Sequence, residues 1–372
     1  MGCDLFSLAT SGVQGLSPYL PGKPVTELQR ELGLDYIVKL ASNENPLGPS
    51  GHVLAAIQAA SAELTRYPDG NGFELKSALA QHLGVDLASV TLGNGSNDIL
   101  ELIARAFVSP GEEILFSQYA FAVYPIVTQA IGAKAVIVPA GNGQNSTEYG
   151  HDLVAMASAI TANTRLIFIA NPNNPTGTYV TQQQFSTFIS SVPENVIVVV
   201  DEAYVEYVTV SDYPATIAWL AEYPNLIITR TFSKAYGLAG LRVGYSLSHP
   251  DVANILNRVR QPFNVNSLAL TAAVAALADT TYLAQSVALN DAGMEQIKRG
   301  CGTLGLKMIP SLGNFLTVDM GQPAAPLYQK LLALGVIVRL VDNYGLPNHL
   351  RISIGTEEEN QFFLKQLSVV LA

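Results

Sequence analysis

The chain has 372 residues, 49% of them apolar and 13% charged, beyond the size at which a single core keeps growing, so two domains are expected. A formal net charge of −10 makes nucleic acid and anionic membrane surfaces poor partners, and no run approaches the ~18 apolar residues of a membrane span. The two cysteines, Cys3 and Cys301, and five scattered histidines supply neither a disulfide framework nor a zinc cluster, so no metal is expected. The opening MGCDLFSLAT lacks a basic region and carries Asp4, which argues against a secretory signal and for a cytoplasmic protein.

In chain order, LSPYLPGKP (16–24) is a loop of breaker residues and 25–34 a short helix that must pack on something later. The polar cluster LASNENPLGP (40–49) precedes helical periodicity over 52–62 and the tight turn RYPDG (66–70). From Phe73 helix and strand alternate: a helix to about Leu83, a strand at 90–92, the loop GNGSN (93–97) and a helix over 98–107. Apolar runs at 114–116, 135–138, 166–169, 196–200 and 226–229 read as buried strands. Helical segments separate most of them, the mark of a mostly parallel sheet. Beyond Arg260 come an apolar helix over 266–278 and further helix to about 304. A strand at 315–318, a helix over 325–334, strands at 336–339 and 350–354 and a last helix from Glu357 then outline a smaller α+β unit.

Chemistry gathers just past the strand ends, where open α/β sheets bind ligands. Strand 226–229 runs into RTFSK, which places Thr231, Ser233 and Lys234 in that crevice, with Arg242 eight residues on in a glycine-loosened segment. A lysine held beside hydroxyls and an arginine suits an amine that bonds a carbonyl covalently next to an anion pocket, the need of a pyridoxal phosphate enzyme. Gly93 to Asn97 opens a helix, whose backbone N–H groups can hold a phosphate. Alone it also resembles a dinucleotide fingerprint with Glu112 or Glu113 as the ribose acid, although Asp98 replaces the third glycine. Tyr119 or Phe121 could stack on a flat ring. NPNNPTG (171–177) is a rigid turn that can aim an amide. Asp201, straight after five apolar residues, needs a cation or proton donor to be buried, and a protonated pyridine nitrogen would serve.

NPNNPTG, DEAY (201–204) and TFSKAYGLAGLRVGY (231–245) resemble the class-I/II branch of the fold-type I PLP-dependent aminotransferases. LSPYLPGKP, ASNENPLGPS, RYPDG, VIVR and LRISIGT extend the resemblance, to the histidinol-phosphate aminotransferases, over nearly the whole chain. It implies an α/β fold-type I transferase with a mostly parallel central sheet in a large PLP-binding domain (41–270). A small C-terminal α+β domain (271–372) would pack with an N-terminal segment (1–40).

By the same resemblance Lys234 is the Schiff-base lysine and the acid/base that moves the substrate proton, and Asp201 keeps the pyridine nitrogen protonated. Tyr204 and Asn171 hydrogen-bond the phenolic oxygen, and Tyr119 stacks on the ring. Gly95, Ser96, Asn97, Thr231, Ser233 and Arg242 hold the cofactor phosphate. Tyr67 reaches the neighbouring subunit's cofactor, which makes the active unit a homodimer. Arg351 clamps the α-carboxylate of glutamate, a bidentate task suited to arginine. Arg339 and Tyr19 help accept the substrate phosphate. The implied reaction exchanges L-histidinol phosphate and 2-oxoglutarate for imidazole acetol phosphate and L-glutamate, in histidine biosynthesis. The competing readings are an aromatic amino-acid aminotransferase, a phospho-amino-acid decarboxylase on the same scaffold and an NAD-dependent dehydrogenase built on Gly93 to Asn97.

Overall fold

The computed structural model describes residues 4–18, 22–143 and 146–372. The strands of its first part are β1 (Val38–Lys39), β2 (Val90–Gly93), β3 (Glu113–Ser117), β4 (Lys134–Val138), β5 (Thr164–Ala170), β6 (Ile197–Asp201), β7 (Leu226–Thr231) and β8 (Gly244–Ser248). Those of the second are β9 (Lys307–Ile309), β10 (Phe315–Asp319), β11 (Val336–Ile337), β12 (Arg339–Leu340) and β13 (His349–Ser353).

Seven strands make the central sheet, in the order β2-β8-β7-β6-β5-β3-β4. All run parallel except β8, which is antiparallel to both β2 and β7. That exception follows from the link it closes: between Thr231 and Gly244 there is only a 3-10 turn, Ala239–Leu241, and parallel neighbours require a crossover, usually helical. The glycine-rich segment after Lys234 therefore feeds a strand that the apolar-run pattern did not mark.

The sheet's apolar runs are continuous because both faces are covered. Ile114, Phe116, Leu166, Phe168 and Ile227 pack on one face, against the helices Ser96–Phe107 and Pro250–Val259. The alternate residues Leu115, Ile167, Ile169, Val198 and Val200 pack on the other, against Leu153–Ser158 and Gln182–Ile189. Beside them β2, β8 and the helix Ser267–Ala278 share a further core with Val53, Leu75 and Leu79.

The last third carries an antiparallel sheet, β12-β13-β10-β9. The expected strand 336–339 is two strands. Val336 and Ile337 pair in parallel with Val38 and Lys39, whereas Arg339 and Leu340 pair antiparallel with Arg351 and Leu350. One short run thus joins two sheets, and Val338 stays buried between them. Leu28, from the helix Val25–Leu32, packs on Ala41, Leu332 and Ile337. Among the described residues no single helix is long and apolar enough to cross a membrane.

Candidate active site

Because β2, β3, β5, β6 and β7 are mutually parallel, the residues that follow them emerge at one edge of the sheet, around one cavity. Asp201 closes β6 on its wall, buried to 4% exposure. Its Oδ1 accepts from Thr229 Oγ1 at 2.9 Å and its Oδ2 from the Tyr124 hydroxyl at 3.0 Å. Burial pushes its pKa up to about 6 against these two hydrogen bonds, which lower it. Tyr124 was not singled out in the sequence. It lies in the helix Val123–Ala130, fully buried and stacked on Phe168 with centroids 4.5 Å apart. The available signal was general: a tyrosine inside an apolar helix must find a partner for its hydroxyl.

Lys234 follows β7 through the turn at 232–233. Its Nζ donates to the Ser42 carbonyl at 3.3 Å and sits 5.8 Å from the centre of the Tyr204 ring. Burial first, then Arg351, lowers its pKa to about 8, so near neutral pH the amine is far closer to its nucleophilic form than an exposed lysine. The Tyr204 hydroxyl accepts from Asn43 Nδ2 at 3.0 Å, and burial raises its pKa to about 12.

The expected phosphate cradle assembles at the start of the helix Ser96–Phe107. Its N-cap, Gly95, has φ +83° and no side-chain cap, which leaves the first-turn N–H groups available to an anion. Ser96, Asn97, Thr231, Ser233 and Arg242 line the cavity here. Thr231 Oγ1 donates to Ser233 Oγ at 3.0 Å, and Arg242 Nη1 reaches Ser233 Oγ at 3.4 Å. The cradle depends on bare backbone, since a Cβ on Gly95 would meet Arg242 Nη2 at 2.5 Å and one on Gly244 the Ser96 nitrogen at 2.6 Å.

Arg339 and Arg351 face each other across the β12–β13 pair and line the same cavity. Arg351 is buried, with Nη1 on Asn174 Oδ1 at 2.5 Å and Nη2 on the Ala41 carbonyl at 2.8 Å. Directly opposed like charges are unfavourable in a sheet, so the pair suits a doubly anionic occupant.

Two expected residues point elsewhere. Asn171 does not reach the cavity: its Oδ1 accepts from Val180 N at 3.0 Å and its Nδ2 donates to Val180 O at 3.3 Å. The amide on the wall is Asn174, three residues on. Nor does Tyr119 line the cavity. The chain turns at Ser117–Ala120, with Ala120 N on Ser117 O at 3.1 Å, which sends the Tyr119 ring against Tyr149 (centroids 5.8 Å apart) and brings Phe121 to the wall instead. Tyr67 lies outside its own chain's cavity, 82% exposed and stacked on Phe263 with centroids 4.8 Å apart. Tyr19 falls outside the described residues. Glu112 and Glu113, the candidate acids of the dinucleotide reading, lie at the opposite end of β3, where Glu112 pairs with Arg165 at 2.7 Å and Glu113 accepts from Thr161 and Thr164, which removes that reading's ribose contact.

The donor set is specific. Lys234, Arg242, Arg339 and Arg351 converge on one cavity of an acidic protein, and among the described lining residues Asp201 is the sole acid. A phosphate cradle, an amine, a buried carboxylate, an amide and an aromatic side chain fit pyridoxal 5'-phosphate, whose phosphate, aldehyde, pyridine nitrogen, phenolic oxygen and ring face each need one of them.

Comparison with known proteins places this site in a class. Residues 35–367 match the aminotransferase class I and II family; the chain belongs to it and is a transaminase with the fold-type I architecture. Within that class, Histidinol-phosphate aminotransferase 2 of Pseudomonas fluorescens is 62% identical over the full length of both chains. The protein of the same name from Pseudomonas aeruginosa is 60% identical over 99% of each. The crystal structure of histidinol-phosphate aminotransferase from Sinorhizobium meliloti in complex with pyridoxal-5'-phosphate matches with a TM-score of 0.90. That structure is 31% identical, over 99% of this chain and 98% of that one.

Proposed function

We propose that this chain transfers the amino group between L-histidinol phosphate and 2-oxoglutarate, giving imidazole acetol phosphate and L-glutamate in histidine biosynthesis, with pyridoxal 5'-phosphate as cofactor. The observation that carries the reading is Arg339 opposite Arg351 on the wall that also bears Lys234. A ping-pong transaminase must accept an amino donor and then a carbonyl acceptor at one site, here a phosphate monoester and a dicarboxylate, and two guanidinium groups meet both. The full-length identity to proteins named for this reaction supports it.

When bound, the cofactor supplies a carbonyl for the substrate amine and a ring that accepts the electron pair left at Cα. The protein's part is to hold and to move protons. Ser96 and Asn97 N–H groups, the Thr231 and Ser233 hydroxyls and Arg242 would hold the phosphate. Asp201 would offer its carboxylate to the pyridine nitrogen, and a protonated nitrogen would in turn draw the Asp201 pKa back down. Tyr204 and Asn174, on the cavity wall, would donate to the phenolic oxygen, and Phe121 would cover the ring. Arg351 takes the α-carboxylate of glutamate and Arg339 the phosphate of the other substrate. With cofactor and substrate in place, Lys234 Nζ, an amine on the cavity wall, would be the group that takes the Cα proton and gives it back.

The proposed active unit is a homodimer in the cytoplasm, with Tyr67 reaching the partner's cofactor phosphate; an aromatic ring that is 82% exposed on its own chain supports this. The deciding experiment follows the visible cofactor band of purified protein on adding L-histidinol phosphate, then L-phenylalanine, without keto acid. Rapid loss of the band with histidinol phosphate and sluggish loss with phenylalanine is expected. The reverse order moves the protein to the aromatic aminotransferases.

A further inference from the structure

Three consecutive residues after β1 each hold a different functional side chain. The Ala41 carbonyl accepts from Arg351 Nη2 at 2.8 Å, the Ser42 carbonyl from Lys234 Nζ at 3.3 Å, and Asn43 Nδ2 donates to the Tyr204 hydroxyl at 3.0 Å. Two residues on, Asn45 Nδ2 donates to the carbonyl of Ala235, the neighbour of Lys234, at 2.9 Å. The ASNENP stretch thus crosses the cavity as a strap.

Asn43 is its most constrained member, 1% exposed with φ +55°, a left-handed backbone that asparagine tolerates and most residues avoid. Its N–H donates to Ser353 Oγ at 2.7 Å, and Ser353 Oγ donates back to Asn43 Oδ1 at 3.0 Å. Its carbonyl accepts from Asn314 Nδ2 at 3.0 Å. With Oδ1 committed to Ser353, the amide orientation is set and Nδ2 is aimed at Tyr204. The phenol oxygen, already accepting, keeps its own proton to donate into the cavity. Ser353 lies two residues beyond Arg351 on β13, hence on the same face of that sheet.

We propose that Asn43 is a positioning residue of the transamination: it aims the Tyr204 hydroxyl into the cavity and, through Ser353, ties that hydroxyl to the strand carrying Arg351. The proposal rests on the reading that Tyr204 donates to the cofactor's phenolic oxygen. A substrate carboxylate taking Arg351 competes with the Ala41 carbonyl and Asn174 Oδ1 for the same N–H groups, two residues from Asn43. Carboxylate occupancy and the aim of the phenol are thereby mechanically linked.

The test is a double-mutant cycle with Tyr204→Phe. Asn43→Gly keeps the left-handed backbone, the N–H bond to Ser353 Oγ and the carbonyl bond from Asn314, but removes the side chain with its Nδ2 donor and Oδ1 acceptor. Asn43→Asp keeps the acceptor for Ser353 but cannot donate to Tyr204. In protein loaded with pyridoxal 5'-phosphate, the pH midpoint of the visible band should move up by about one pH unit in each, because the phenolic oxygen loses a donor and holds the neighbouring proton more firmly. In the Tyr204→Phe background neither substitution should shift it further. Equal shifts in both backgrounds overturn the proposal. If the unmodified protein forms no visible band with the cofactor, the functional reading fails instead. The same cycle, read as Tm of the apoprotein, tests the contact itself: an additive cycle overturns the proposal whatever the cofactor does.

Discussion

Lys234 and Asp201 have opposite charges and share one cavity, and burial moves both toward their neutral forms. For Asp201 the folded pKa of about 6 lies above the ordinary value of 3.8. Between those pH values the folded state binds more protons than the unfolded state, so stability falls as pH rises from about 4 to 6 and stays lowered above. The size is on the order of 3 kcal/mol. Apoprotein Asp201→Asn should thus melt higher than the unmodified protein above pH 6, the difference shrinking toward pH 4, as Tm against pH will show. The same variant, loaded with cofactor, should lose on the order of 10²–10⁴-fold in turnover, because an amide cannot hold the ring nitrogen protonated. Lys234→Ala should abolish turnover while some cofactor still binds without a covalent bond. Undiminished activity in that variant would sink the assignment.

At the scale of elements, the link from β7 through Lys234 to β8 makes the site. β7 delivers Thr231, the turn delivers Ser233 and Lys234, and Arg242 swings back with φ +57° to meet Gly95 and Ser233. Gly244 is where β8 begins, against the first turn of the helix at Ser96. A methyl group there would lie 2.6 Å from the Ser96 nitrogen and 2.9 Å from the Arg230 carbonyl. Both contacts are backbone, so neither can rotate away. Gly244→Ala should destabilise the fold by about 1–3 kcal/mol and weaken cofactor binding, measured by urea unfolding and by titration of the apoprotein. Unchanged affinity in a folded variant would show that Ser96 is not part of the phosphate cradle.

On the scale of the whole molecule, the exposed apolar pair Tyr67–Phe263 lies outside its own cavity, and the homodimer reading gives it an occupant. Sedimentation should find two chains, and the Tm should rise with protein concentration, as mass action requires of a dimer that stabilises its fold. Tyr67→Phe keeps the stacking and removes one hydroxyl, so it should leave the dimer intact while cofactor affinity falls about tenfold or more, the effect of losing a hydrogen bond to a charged group. A monomer with full activity would refute both expectations.

The sequence by itself determined the alternation of buried strand and helix, because a sheet covered on both faces needs runs such as LIFI and LIIT. It also placed Lys234, Asp201, Tyr204, Ser233 and Arg242 past the ends of those runs, and parallel strands bring such ends together. Only tertiary structure decided between chemically equivalent neighbours. Asn171 and Asn174 both precede proline in one motif, and the backbone of Val180, which claims the first, belongs to a later part of the turn. Tyr119 and Phe121 share a parity that would put both on one face of a strand, until the turn after Ser117 separates them. Likewise Asn43 gains its partners Tyr204, Ser353 and Asn314 from elements 161 to 310 residues away. Local pattern records which face a residue takes, whereas a hydrogen-bond partner so distant in sequence exists only once the sheets have packed.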